Sequence, residues 1–391
     1  MTGNGSLKSI RVDQVGSLVP DQRWRETADR YKRGEASADE FHEVQDAAIR
    51  ATIARQEAIG LPVVTDGELR RFNFQESFAA SVSGFDVPAQ VRADYRPSAE
   101  TRPFRRAEQD FEAVGPAIYA RRPAVERLKL ARNLPLDEYR LASAVATRPV
   151  KVTVLSADRI SQRFAYERST AVYKDMDDFL ADVIAINRQI VANLVEAGCR
   201  YIQIDAPGYT AYVDQVSLDR MRARGEDPDA NLERSIKADN AIIEGFDDVT
   251  FGIHVCRGNP RTVDPGTGQV VPQWHREGHY DGIAERLFNG LRHDRLLLEY
   301  DSERAGGFAP LRFVPKDKVA VLGLVTTKLA AVEPLDALRG RIDEAAKHLP
   351  LEQLALSPQC GFGKDVTISQ DDQWRKFERI VETAHAVWGS A

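Results

Sequence analysis

Short apolar runs alternate with charged, helix-length stretches along most of this 391-residue chain, and reactive residues sit just beyond the ends of those runs. The run 10–16 leads into GSLVP, 61–65 into DGELRR, 201–204 into DAPGY and 249–254 into HVC; 295–300 carries Glu299, and 354–356 leads into SPQCGFG. With 151–155 and 319–325 these make about eight strands. Helical patterns lie between them at 26–60 (broken near 34–37), 176–197, 230–243, 282–291, 335–347 and 371–388. Continuously apolar runs such as VAVLGLV suit strands covered on both faces by helices. The pattern predicts an α/β chain, a (β/α)8 TIM barrel with inserted segments, with a doubly wound sheet as the alternative. The placement of reactive residues favours the barrel. It would gather Ser17, Asp66, Glu68, Asp205, His254, Cys256, Glu299 and Cys360 on one face, where an open sheet would spread them along an edge. A single catalytic barrel domain is expected over 1–391. It carries an irregular excursion or lid around 72–149, with one helical segment near 121–132.

Composition narrows the function. The hydrophobic share of 43% and charged share of 29% are those of an ordinary globular protein. A net charge of −6 gives no support for nucleic-acid binding. No apolar run reaches membrane-spanning length, and the first residues lack the apolar core of a signal peptide. Three cysteines do not make a disulfide framework, so a reducing cytoplasm is expected. No P-loop or dinucleotide fingerprint is present. The chain can also be a homo-oligomer.

The cysteines carry the most specific signal. On extended backbone, His254 and Cys256 point to the same side because the strand period is two, so the pair can chelate one ion. Cys360 and Glu299 from other strand ends would complete a tetrahedral donor set, and soft thiolates favour Zn2+ over magnesium or calcium. The blander alternative is two buried thiols and a satisfied core histidine. Cys199, at a helix-to-strand junction, is read as structural. His275 and His279 in WHREGH also have ligand spacing, but their charged surroundings suit a surface or rim role.

The runs IRVDQVGSLVP, TDGELRR, YIQIDAPG, HVC, LLLEYDSERAG and LSPQCGFG resemble the catalytic barrel of the cobalamin-independent methionine synthase family. The resemblance spans about residues 8–390. It implies a zinc-dependent methyl- or alkyltransferase in which His254, Cys256, Glu299 and Cys360 are the zinc ligands. Ser17, Glu68 and Asp205 would bind the amino-acid part of homocysteine, Glu68 and Asp205 holding its ammonium as catalytic acids. The partners implied are a small-molecule thiol and an alkyl donor such as a methyl-folate.

Three departures stand out. Ala206 replaces an acidic residue of the family's pattern, LGLVTTK lacks its histidine, and the segment between Cys256 and Glu299 is longer. They leave room for another electrophile, such as an epoxide opened by a small thiol, or for a zinc lyase or hydrolase using metal-bound water. Around this core, Lys328 could hold an anionic tail or be an exposed lysine at a helix start. Arg257 could bind a carboxylate or sulfonate, or a neighbouring acidic side chain. Tyr209 and Tyr212 could line the pocket or pack the loop.

Overall fold

A computed structural model describes residues 7–71, 74–86, 121–259, 261–263, 270–272, 276–363 and 368–391. In chain order these form α1 (Gln22–Lys32), α2 (Ala38–Ile59), α3 (Glu76–Ser81), β1 (Val82–Phe85), β2 (Ala124–Leu130), α4 (Leu134–Ser143), β3 (Lys151–Leu155) and α5 (Ala157–Gln162). They continue with α6 (Met176–Glu196), β4 (Tyr201–Asp205), α7 (Gln215–Ala223), α8 (Pro228–Ile243), β5 (Thr250–Val255), β6 (Arg261–Val263) and β7 (Val270–Pro272). The last are α9 (Ala284–Gly290), β8 (Arg295–Glu299), β9 (Val319–Val325), α10 (Leu335–Ala345), β10 (Leu354–Pro358) and α11 (Gln370–Trp388). Polar caps start the helices: Ser37 accepts from Glu40 N, and Ser369 and Asp372 form a capping box.

The central sheet is six-stranded and parallel in the order β10-β9-β8-β5-β4-β3, a barrel-like α/β architecture. All residues of β3, β4, β5 and β8 are buried, as expected for strands covered on both faces. The two earliest expected strands are present only as extended segments. Val12 bridges to Leu356 beside β10, and Val64 bridges to Val150 at the other edge of the sheet. Short backbone pairings hold them there, Asp13 N donating to Leu356 O at 2.9 Å and Val64 N to Pro149 O at 3.0 Å, and side chains take up further backbone groups. Gln14 Nε2 donates to Val63 O at 3.0 Å, Gln56 Nε2 to Thr65 O at 2.8 Å, and Thr65 N to Gln56 Oε1 at 3.0 Å.

The region 72–149 needs one correction. The segment read as helical near 121–132 is β2, paired antiparallel with β1. Ala124 and Leu128 are buried four residues apart, a spacing that serves a helix face and a strand face equally. Residues 72–73 and 87–120 of the expected excursion lie outside the described residues. Among the described residues, no helix is long and apolar enough to cross a membrane.

Beneath the strand ends the centre of the sheet is polar. Asp13 receives Lys151 Nζ at 2.7 Å and Arg295 Nε at 3.0 Å, and Tyr201 donates its hydroxyl to the same carboxylate. Lys151 also donates to Gln203 Oε1 at 2.8 Å. All five side chains are buried, so each charge relies on the others in place of water.

Candidate metal centre

Strand β5 ends in His254 and Val255, with Cys256 next in the chain; Cys360 lies two residues beyond β10. Their donor atoms lie within 4.8 Å of one another, and the two sulfurs are 3.7 Å apart. His254 and Cys256 are buried and Cys360 is half-buried. Among the described residues, neither ring nitrogen of His254 has a hydrogen-bond partner, although both are buried. A fully buried imidazole without a partner is costly in a folded protein unless something else satisfies it. The Cys256 thiol is held well below its ordinary pKa, first by the Cys360 hydrogen bond, against burial, with His254 adding to the effect. Cys360 is pushed well above its own by that same bond and by burial. Burial alone would lower His254, but the charge of Cys256 raises it. An orphaned imidazole facing two thiols, one readily ionised, is a donor set that fits zinc.

Glu299 stands at the end of β8 but outside this converging set. Its Oε2 accepts from Arg257 N, and its Oε1 accepts from Arg304 Nη2 at 2.6 Å. Burial would raise its pKa, yet Lys328, Arg304 and Arg257 keep it below the ordinary value. Lys328 is no exposed helix-start lysine: its Nζ lies 2.7 Å from Asp301 Oδ2 and 3.5 Å from Glu299 Oε1. Arg257 is fully buried, stacked over the Tyr280 ring at 4.9 Å, with Nη2 donating to Gly278 O.

A second group adjoins the first. Asp205 pairs in register with His254 across β4 and β5. Its carboxyl is raised to about 7, mainly by burial and then by Glu68. Gln203 Nε2 donates to Asp205 Oδ1 at 2.7 Å. Glu68 has φ 56°, in the left-handed region that non-glycine residues seldom adopt. Its backbone N–H is tied to Asp66 Oδ1 at 2.9 Å, and its Oε1 accepts from Thr153 Oγ1 at 2.9 Å. Arg71 Nη1 in turn donates to Thr153 Oγ1 at 2.8 Å while pairing with Glu138. At Gly16, with φ 149°, a Cβ would lie 2.8 Å from Glu68 Oε1, so only glycine leaves room for that carboxylate. Ser17 packs on the Cys360 loop, where its Oγ accepts from Gly363 N at 3.3 Å.

The remaining expected residues lie elsewhere. Tyr209 is fully buried with its hydroxyl on Asp239 at 2.7 Å, which is loop packing behind β4 rather than a pocket wall. Tyr212 likewise donates to Asp158 at 3.0 Å. Cys199 is buried in the core, where burial pushes its thiol up to about 12. His275 is outside the described residues, and His279 is exposed.

Sequence reading missed the residues that hold these groups. Thr153 and Gln203 are polar positions inside apolar strands, and Gln203 lies two residues before Asp205 on the same face; that period was the available signal. Asn259, Gln359 and Thr327 link the two cysteine loops to the end of β9. Asn259 donates to Thr327 Oγ1 at 2.7 Å and to Gly361 O at 3.0 Å, and Gln359 Nε2 donates to Asn259 Oδ1 at 2.6 Å. Arg276 ties the longer segment to the β4 loop through Pro207 O and Thr210 Oγ1.

The family model described as "Cobalamin-independent synthase, Catalytic domain" matches residues 12–261. That span takes in Ser17, Glu68, Asp205, His254 and Cys256 and stops short of Glu299 and Cys360. The uncharacterised protein YxjG of Bacillus subtilis is 32% identical over 385 residues, covering 97% of this chain and 95% of that one. The methionine synthase of Saccharolobus solfataricus is 23% identical over 386 residues, covering 97% and 96%. A solved structure from Listeria monocytogenes, described as a candidate vitamin-B12 independent methionine synthase, shares the fold. Its TM-score is 0.71 at 24% identity, covering 97% of this chain and 98% of that one.

Proposed function

The chain belongs to the cobalamin-independent methionine synthase family, and from that premise we propose that it is a zinc-dependent alkyltransferase acting on a small-molecule thiol. Methyl transfer to homocysteine or a related thiol, giving methionine or a thioether, is the specific reaction. The observation that carries this reading is the convergence of the His254, Cys256 and Cys360 donor atoms beside the paired acids Glu68 and Asp205. A free thiol near pKa 8.5 is mostly protonated at neutral pH, and bound zinc would supply the Lewis acidity that keeps it deprotonated.

The chain's own groups do the rest. His254, Cys256 and Cys360 would hold the ion, and Glu299, which stands beside them on Arg257 and Arg304, would be the fourth donor that the family resemblance implies. Glu68 and Asp205 grip the substrate ammonium, oriented by Thr153 and Gln203. Ser17 meets the amino-acid end from the Cys360 loop. Fixing both ends of the thiol at two anchored groups aims its sulfur at the electrophile and lowers the entropic cost of the encounter. Arg257 and Lys328 act on Glu299 rather than on a substrate tail.

We take the Val12 and Val64 segments as the first two strands of an eight-stranded barrel over 1–391. Leu18 N donating to Gly67 O at 3.0 Å and the Gln14–Val63 bond support that reading. The methyl donor is a methyl-folate, and the setting is the cytoplasm. The test is a product screen of zinc-loaded protein with methyl-folates, simpler methyl donors and epoxides against several thiols. Methionine from methyl-folate and homocysteine is expected; no thioether from any pairing would refute the reading.

A further inference from the structure

The two loops that carry the cysteines are joined by a ring of neutral side chains outside the donor set. Gln359 immediately precedes Cys360, and Asn259 lies three residues after Cys256. Thr327, two residues beyond β9, donates its backbone N–H to Gln359 Oε1 at 2.7 Å and its hydroxyl to the same oxygen at 2.9 Å. Gln359 Nε2 donates to Asn259 Oδ1 at 2.6 Å. Asn259 Nδ2 closes the ring on Thr327 Oγ1 at 2.7 Å and reaches Gly361 O at 3.0 Å. A backbone N–H at one end and a backbone carbonyl at the other cannot exchange roles, so neither amide can turn over without breaking the ring. Gln359 and Thr327 are fully buried, which makes an unmade hydrogen bond there costly.

Each cysteine loop is also fixed locally. Between Cys256 and Asn259 the chain turns through Gly258, with φ 75°, whose N–H donates to the Cys256 sulfur at 3.3 Å. The Cys360 loop is seated on Ser17: Phe362 N donates to Ser17 O at 2.9 Å, and a Cβ at Gly361 would stand 2.1 Å from Ser17 Oγ. The two sulfurs so held are 3.7 Å apart. Two thiolates on one tetrahedral zinc, each about 2.3 Å from the ion, span about 3.8 Å. We infer that Asn259 and Gln359 are positioning residues that clamp the two cysteine loops at the spacing one zinc ion needs. Neither side chain is a metal donor; each acts through the backbone beside a cysteine. The inference rests on the zinc–thiol reading above and adds that the ion does not have to draw the loops together.

The test is a double-mutant cycle on Asn259→Ala and Gln359→Met. Zinc affinity is measured by competition with a chelator, sulfur coordination by the sulfur-to-cobalt absorption of the cobalt-substituted protein, and stability by thermal unfolding of the zinc-free protein. Each single variant should bind zinc about tenfold or more weakly, as changes just outside a ligand shell do, with a weaker sulfur-to-cobalt band. The double variant should fall less than about threefold further, because either change alone opens the ring. Asn259 stands at the half-buried end of the ring, where water can fill the space, so Asn259→Ala alone tests the inference if the buried variant does not fold. Losses that multiply in the double variant would overturn the clamp. A less stable zinc-free protein that keeps wild-type zinc affinity and absorption would overturn it too and leave the ring as ordinary loop packing. Wild-type protein that takes up no zinc overturns the zinc–thiol reading and this inference together; zinc bound equally well by wild type and both variants overturns the inference alone.

Discussion

Glu68 and Asp205 show how single side chains are fixed here by partners far away in sequence. The Glu68 carboxylate depends on Thr153, and Thr153 in turn is held by Arg71 and Glu138. Thr153→Val keeps the shape and removes the hydroxyl. A hydrogen bond to a charged group contributes about 1.5–3 kcal/mol, so homocysteine binding should weaken about tenfold or more while zinc content stays unchanged. Calorimetric titration beside metal analysis checks both halves. Asp239 makes a pH prediction. Burial and then Asp158 raise its carboxyl to about 7, whereas in the unfolded chain it titrates near its ordinary value of about 4. Between those values the folded state binds the extra proton, so this group's contribution to stability falls as pH rises through that window. Asp239→Asn should therefore gain in melting temperature over wild type between about pH 5 and 8 and show no gain near pH 4. The ligand types were legible in the sequence because their spacing on a strand is a local signal. The props were not, because Thr153 and Gln203 announce only a polar residue in an apolar strand and not whom they meet.

Strands set where these side chains stand, and most were readable from apolar runs: β3 and β9 have the expected bounds, and β4, β5, β8 and β10 differ only at their ends. The first two expected strands were less legible, since buried Gln14, Gln56 and Thr65 supply hydrogen bonds that no periodicity reveals. β2 was misread because a strand with charged residues between Ala124 and Leu128 matches helical spacing as well. The polar centre beneath the strand ends joins the Asp13 segment, β3, β4 and β8, and Gln203 continues it to Asp205. Lys151→Met removes one member of this set and leaves charge uncompensated in the interior. It should cost about 3–5 kcal/mol in urea unfolding, the range for a broken buried ion pair. A loss below about 1 kcal/mol would mean that water reaches this region.

At the scale of the whole molecule, the fold brings together an imidazole, two thiols and two acids from strand ends that are far apart in the sequence, and leaves the carboxylate of Glu299 bound to cations beside them. Cys360→Ser should abolish stoichiometric zinc while the helical signal in circular dichroism persists, because Cys360 lies in a loop after β10. Zinc retained at full stoichiometry in that variant would remove Cys360 from the centre. The central claim is that a substrate sulfur joins this centre. Zinc X-ray absorption with and without homocysteine measures it directly. The predicted result is two sulfur ligands in the resting protein, from Cys256 and Cys360, and one more when homocysteine is added. A sulfur count unchanged by homocysteine, with an oxygen ligand retained, would contradict it.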